Sequence, residues 1–166
     1  MNGAASWEVG EVLSKAWDLT KSNIGLLIGV TIVISLVIGL HYEVLRACIG
    51  FLPAVSHRRR QRVVVLILVI LCTHAVEIWL FAFGYYGLLR FDGFGEITGF
   101  VETNTLLDYA YFSAMVYTTV GFGDVYPLGP IRFMTGMEAL TGLVMITWSA
   151  SFTFLEMQRD WPAGRG

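Results

Sequence analysis

Charge is scarce in this chain: 14% of its 166 residues are Asp, Glu, Lys or Arg, and their formal sum is only −2. Nothing in that balance points to a nucleic-acid partner, and none is expected. Cysteine is nearly missing too. Cys48 and Cys72 cannot make a disulfide framework or a metal cluster by themselves, and both read as small buried hydrophobes. No stretch resembles a nucleotide-binding loop or a proton relay, so neither an enzyme nor a pump is expected, and no cofactor is called for. Basic residues recur at every third position in none of the apolar stretches, which leaves out a voltage-sensing helix. The first residues, Met1 to Trp7, lack the basic start of a secretory leader, so that segment is expected to be retained.

What the chain does have is apolar surface: 55% of residues are hydrophobic, and the mean hydropathy is +0.65. A soluble domain of this composition could not clothe its exterior in polar groups. Three stretches have membrane-spanning character. The first, 24–40, is seventeen residues without a charge. At about 1.5 Å per residue it reaches roughly 25 Å, short of a ~30 Å hydrocarbon core unless extended through His41, Tyr42 and Glu43 to Leu45. The second, 63–83, is interrupted by Thr73, His74 and Glu77. The third, 131–155, carries Glu138 as its one charge. Between the last two, residues 84–130 are rich in Gly, Phe and Tyr and do not span. Ahead of the first stretch, Val9, Val12, Leu13, Ala16 and Trp17 repeat at helical spacing, with Glu8, Glu11, Lys15 and Asp18 elsewhere. That amphipathic helix lies either in the membrane interface or on the protein's own polar face.

Orientation follows from the loops. Arg46, Arg58, Arg59, Arg60 and Arg62 fall in 41–62, whereas 90–124 holds Asp92, Glu96, Glu102, Asp108 and Asp124 against Arg90 alone. Residues 57–62 are therefore expected in the cytoplasm and 84–130 outside, with the last helix returning inward to Arg159 and Arg165. A first stretch that spans puts the N-terminus outside; one that only dips puts it inside. The spanning version is adopted. Arg58, Arg59, Arg60 and Arg62 read as a topology determinant, with contact to anionic lipid heads as a second possibility.

The decisive segment is Thr118-Thr119-Val120-Gly121-Phe122-Gly123-Asp124-Val125-Tyr126-Pro127, between two spans and on the outward side. A dehydrated cation needs closely spaced oxygens on a narrow path. Backbone carbonyls provide weak dipoles where carboxylates would bind too tightly. Aiming successive carbonyls at one axis needs residues that tolerate positive φ, which Gly121 and Gly123 do. Val120 and Phe122 can then pack outward, and Thr119 can add its hydroxyl at the inner end.

Thr119-Val120-Gly121-Phe122-Gly123-Asp124 resembles the selectivity filter of the potassium channel superfamily. Its setting resembles the simple prokaryotic channels built of outer helix, pore helix, filter and inner helix, and the likeness covers about 63–155. The resemblance implies an all-α membrane protein with a tetrameric channel pore fold, a re-entrant pore helix and a filter, here preceded by amphipathic and hydrophobic N-terminal helices. It implies K+ coordination by Thr119, Val120, Gly121 and Phe122, with Gly123 and Asp124 closing the outer mouth and Thr118 supporting the strand. Residues 105–117 become the pore helix, in which Thr105 and Asp108 have capping-box spacing. The helix end aims the negative pole of its dipole at the cavity.

Two departures stand out. Phe122 replaces the filter tyrosine of many relatives while Phe112 replaces a pore-helix tryptophan, so donor and acceptor are lost together, which suggests an apolar packing pair. Tyr111 keeps a hydroxyl that can reach Asp124. Met115 occupies a position that often carries a carboxylate. Glu138, on the α-helical face of Met145 and Ser149, is placed to point behind the filter and stand in for it.

On the last helix, Gly142 matches either a hinge glycine or a close helix contact. Leu143, Ile146, Ala150 and Phe154 share one face that is either pore-lining, with Phe154 as a hydrophobic constriction, or lipid-facing. Trp148 and Trp161 read as packing and interfacial residues. His74 and Glu77 are i, i+3, and a structural hydrogen bond is favoured over zinc binding by that pair.

The expected organisation is 1–62 (interfacial helix, first hydrophobic segment, basic loop), 63–157 (pore domain) and 158–166 (short cytoplasmic tail). A single filter strand per chain implies a homotetramer in a cell membrane of prokaryotic type. Only eleven residues follow Leu155, so a ligand-binding regulator would be a separate subunit. The alternatives kept open are a weakly selective cation channel and a non-conducting membrane partner subunit.

Overall fold

A computed structural model describes the chain at residues 9–15, 17, 23–55, 59–99 and 105–160. Residues 9–15 are helical, with Val9, Val12 and Leu13 exposed. Glu8, Ala16, Asp18, Arg58, Glu102, Trp161 and Arg165 fall outside the described residues, as do the side chains of Arg59 and Arg60. The main elements are α1 (Ile24–Val55), α2 (Arg59–Leu88), β1 (Glu96–Thr98), α3 (Leu106–Tyr117), β2 (Tyr126–Leu128) and α4 (Arg132–Asp160).

Three helices are long and apolar enough to cross a membrane: Ile24–Phe51, Gln61–Leu88 and Arg132–Arg159. The first does not stop at His41. At about 1.5 Å per residue its 28-residue window is roughly 40 Å long, which exceeds the hydrocarbon core. Most of the expected loop at 41–62 is therefore helix, through Val55 and again from Arg59, and Arg46 sits on the first of these helices, paired with Glu43 at 2.7 Å. Helix is the stable state for so many β-branched residues here because hydrocarbon offers no partner for a free backbone group.

Burial is turned outside in relative to a soluble bundle. Ile28, Ile32, Leu36, Leu68 and Leu71 all stay more than half exposed. Meanwhile His41, Thr73, Glu77, Ser113, Glu138 and Ser149 are buried. Along α1 the buried stripe runs Leu26, Val30, Val37, His41, Leu45, Cys48, at steps of three, four or seven, so a histidine occupies a core position. Cys48 is buried as expected, but Cys72 is exposed, because it lies off the stripe Leu66, Ile70, Thr73, Glu77 of α2.

The central cluster joins Leu26, Val30 and Val37 of α1 with Phe81, Ala82 and Tyr85 of α2, Tyr109, Phe112 and Tyr117 of α3, and Met134 and Met145 of α4. The helix α3 thus packs against α2 and α4, and these two in turn pack against α1. One feature was not expected from the sequence. Strands β1 and β2 pair antiparallel, with Glu96 opposite Leu128, Ile97 opposite Pro127 and Thr98 opposite Tyr126. This ribbon ties the segment that follows Asp124 to the segment that follows α2.

Candidate functional site

The site starts at the cap of α3. The Thr105 hydroxyl accepts from the Asp108 amide at 3.3 Å, while the Asp108 carboxylate accepts from the Thr105 amide at 2.7 Å, the expected capping box. With its start fixed, α3 delivers its other end to the middle of the bundle. There the following segment takes up its carbonyls. Ala114 accepts from the Thr118 amide at 3.2 Å, Val116 from that of Thr119 at 2.9 Å, and Met115 from that of Gly121 at 3.2 Å. The Thr118 hydroxyl adds a bond to Ala114 at 2.6 Å. Thr118, Thr119 and Gly121 are therefore tied to the helix through their amides.

The backbone beyond alternates in hand. Thr119 has φ 59°, Gly121 49° and Gly123 82°, while Val120 and Phe122 between them do not enter the left-handed region. A chain that alternates in this way turns its N–H groups to one side and its carbonyls to the other. Thr119 is the one described non-glycine residue with positive φ, at a cost of about 1–2 kcal/mol. Such strain persists where surrounding bonds over-determine it, and here the bonds to the end of α3 do so. All residues from 118 to 124 are exposed in the single chain, with Val120 at 54% and Phe122 at 70%. At the outer end, Tyr111 donates to the Asp124 carboxylate at 2.8 Å, as expected. That bond raises the Tyr111 hydroxyl above the ordinary tyrosine range, so the donor keeps its proton.

Phe112 and Phe122 do not pack on each other within one chain. Phe112 is buried, edge-on to the Tyr85 ring at 5.0 Å, while Phe122 projects freely. The partner of Phe112 comes from α2, which the spacing within 111–124 could not reveal.

Gly142 is a close contact. A Cβ built there would overlap the Tyr117 carbonyl oxygen, and would lie 2.9 Å from the carbonyl carbon. So α4 touches the backbone at the end of α3 through this glycine. On the other face of α4, Leu143, Ile146, Ala150 and Phe154 are exposed in the single chain. Trp148 packs its ring 5.3 Å from His41.

Glu138 is fully buried and meets α3 at Ser113, not the 118–124 segment. Tyr85 donates to its Oε2 at 2.5 Å, and Oε1 lies 2.5 Å from the Ser113 hydroxyl. Ser113 also bonds the Ile78 carbonyl at 2.8 Å. One hydroxyl proton cannot serve both acceptors. The count closes when Glu138 carries a proton and gives it to Ser113, which passes its own to Ile78. Glutamine reproduces that pattern, so Glu138→Gln is expected to keep the oligomer and its thermal midpoint near wild type. Glu138→Ala removes the acceptor of the buried Tyr85 hydroxyl, while Ser113 keeps its bond to Ile78, and is expected to cost about 1–3 kcal/mol. Thermal unfolding of both variants in detergent checks the ordering.

His74 and Glu77 form the expected hydrogen bond at 2.9 Å, but they are not alone. His41 from α1 reaches the other oxygen of Glu77 at 2.7 Å, Tyr117 donates to Glu77, and Ser149 approaches both rings. His41, Tyr85, Ser113, Tyr117 and Ser149 were not singled out from the sequence. The available signal was a polar residue on each apolar stripe.

A family model described as ion channel matches residues 63–159, more than half of the chain. That span takes in α3, the 118–124 segment and nearly all of α2 and α4, and leaves α1 outside. No curated protein and no solved structure matches the chain.

Proposed function

This chain belongs to the ion channel family, and from that premise we propose that it conducts K+ selectively as a homotetramer, with four copies of residues 118–124 surrounding one pore. It is a membrane protein built from three helices of spanning length, and a channel of this kind is not an enzyme.

The observation that carries the reading is the backbone of alternating hand at Thr119, Gly121 and Gly123, anchored by its amides to the end of α3. The carbonyls of Thr119, Val120, Gly121 and Phe122 are then free to line an axis and replace the hydration shell of K+. Gly123 and Asp124 form the outer mouth, held by Tyr111. Val120 and Phe122 stand exposed among the described residues. Apolar side chains at a conduction path need cover, and neighbouring copies supply it in a four-fold ring. The exposed face of α4 bearing Leu143, Ile146, Ala150 and Phe154 then lines the cavity below the filter, with Phe154 nearest the cytoplasm. The same reading puts 84–130 outside, the Arg58–Arg62 cluster among the lipid heads of the inner leaflet, and the protein in the cell membrane.

Purified protein in liposomes tests this directly. Potassium efflux is expected to exceed sodium efflux by at least two orders of magnitude, and the bi-ionic reversal potential to approach that for K+. Equal sodium and potassium flux would overturn the proposal, and so would a purified oligomer that is not a tetramer by mass.

A further inference from the structure

With both of its imidazoles neutral, the buried group around Glu77 is short of one positive charge. Glu77 is fully buried on α2, and its partners close enough to form an ion pair, among the described residues, are His41 and His74. His41 Nδ1 lies 2.7 Å from Oε1, His74 Nδ1 lies 2.9 Å from Oε2, and the Tyr117 hydroxyl donates to Oε2. The far nitrogens of both rings converge on one hydroxyl: Ser149 Oγ is 3.2 Å from each Nε2. If both Nδ1 atoms donate to the carboxylate, both Nε2 atoms are bare acceptors, and Ser149 has one proton for two of them. The carboxylate's charge is left in a low-dielectric bundle as well. One further positive centre removes both deficits.

We propose that this centre is a divalent transition-metal ion of the zinc class, held by His41 Nδ1, His74 Nδ1 and the Glu77 carboxylate, with the Tyr117 hydroxyl as fourth donor. The candidate ligand atoms of His41, His74 and Glu77 lie within 4.8 Å of one another. Metal bonds of ~2.0–2.1 Å set tetrahedral ligands roughly 3.4 Å apart, between the 2.7 Å hydrogen bond and the 4.8 Å outer limit of this set, so filling the site takes side-chain shifts on the order of an ångström. Two imidazoles, a carboxylate and a hydroxyl form the borderline N/O set that zinc takes. With the metal on Nδ1, each Nε2 carries the hydrogen and donates to a separate lone pair of Ser149. The serine then fixes both rings, as outer-shell partners of metal-bound histidines do. His74 keeps 14% exposure of its side chain, which leaves an edge of the site reachable while His41 and Glu77 are closed off.

The site joins all four helices. His41 comes from α1, which lies outside the family match, so the addition of α1 to the pore region completes the ligand set. Tyr117 is the last residue of α3, directly ahead of Thr118, and its carbonyl abuts Gly142. A metal here cross-links α1 and α2 to the element that carries the conduction path.

Titration of chelator-stripped, detergent-purified oligomer with Co2+ tests the site without any flux measurement, so its result stands apart from ion selectivity. One Co2+ per chain with the intense visible bands of four-coordinate cobalt is expected, displaced by Zn2+. His41→Gln and His74→Gln should each weaken binding at least 100-fold, and Ser149→Ala 10- to 100-fold. Wild type that takes up neither Co2+ nor Zn2+ above the His41→Gln/His74→Gln double variant would overturn the proposal, and the cluster would then hold a proton only. If a histidine variant does not assemble, the stoichiometry and spectrum of wild type against Ser149→Ala decide the matter.

Discussion

Replacing Gly121 by alanine is expected to bring potassium flux of the reconstituted protein down to that of protein-free vesicles, while the variant still purifies as the wild-type oligomer. The glycine has φ 49°, and a Cβ there meets nothing within 4 Å in its own chain. The fold of the single chain is thus undisturbed, and the penalty is conformational. Alanine in the left-handed region costs about 1–2 kcal/mol, and in the proposed four-fold ring that cost arises once in every chain. The chain can relieve it by rotating φ toward negative values, but that rotation swings the neighbouring peptide planes. The Gly121 amide is held at 3.2 Å by the Met115 carbonyl, so the swing falls on the carbonyls and on that bond together. Either the oxygens leave the axis or the strand detaches from α3. Weak dipoles replace a hydration shell only when several act at the right distance at once, so in the proposed tetramer loss of one layer from every chain removes a site. Wild-type potassium flux and unchanged exclusion of sodium in this variant would show that conduction does not run along 118–124.

Much of the frame was legible in the sequence, and for a physical reason. Hydrocarbon forces every backbone group into helix, so long apolar runs at 24–40, 63–83 and 131–155 report helices even where their ends do not. The ends were missed by up to fifteen residues at Val55, because His41 and Glu43 look like an interruption until it is seen that they sit on different faces. His41 belongs to the buried stripe, and Glu43 is exposed beside Arg46. The cap at Thr105 was legible because it is local and set by spacing, whereas the Tyr111–Asp124 bond was legible through the resemblance of 105–124 to a pore helix and filter. The β1–β2 ribbon, the Phe112–Tyr85 contact and the joining of His41 to His74 were not. Each depends on which helix faces which, and hydrophobic pattern does not encode that. Glu138 shows the boundary well: its face was right, but its partner is Ser113 on α3 and not the strand beyond.

Gly142→Ala separates two readings that spacing alone left equal, because they predict opposite signs. A glycine kept in α4 only to let it bend should become more stable as alanine, by about 1 kcal/mol of helix propensity. A glycine kept for contact should become less stable, and the geometry favours contact. The overlap falls on the Tyr117 carbonyl, which is backbone at the end of α3 and cannot change rotamer. Relief requires α4 to back away from α3, opening the packing of Tyr117 and Met145 in the central cluster. Overfilling of this kind typically costs about 1–3 kcal/mol, here once per chain. A clear fall in the thermal midpoint of the detergent-solubilised oligomer is therefore expected, with potassium flux reduced in parallel because Thr118 and Thr119 follow the displaced residue. Gly136→Ala is the matched control: it lies on the same helix, and its Cβ meets nothing within 4 Å, so it should be neutral or slightly stabilising. If Gly142→Ala raised the midpoint as Gly136→Ala does, the contact between α4 and the end of α3 would not be what holds the conduction path in place, and the hinge reading would take its place.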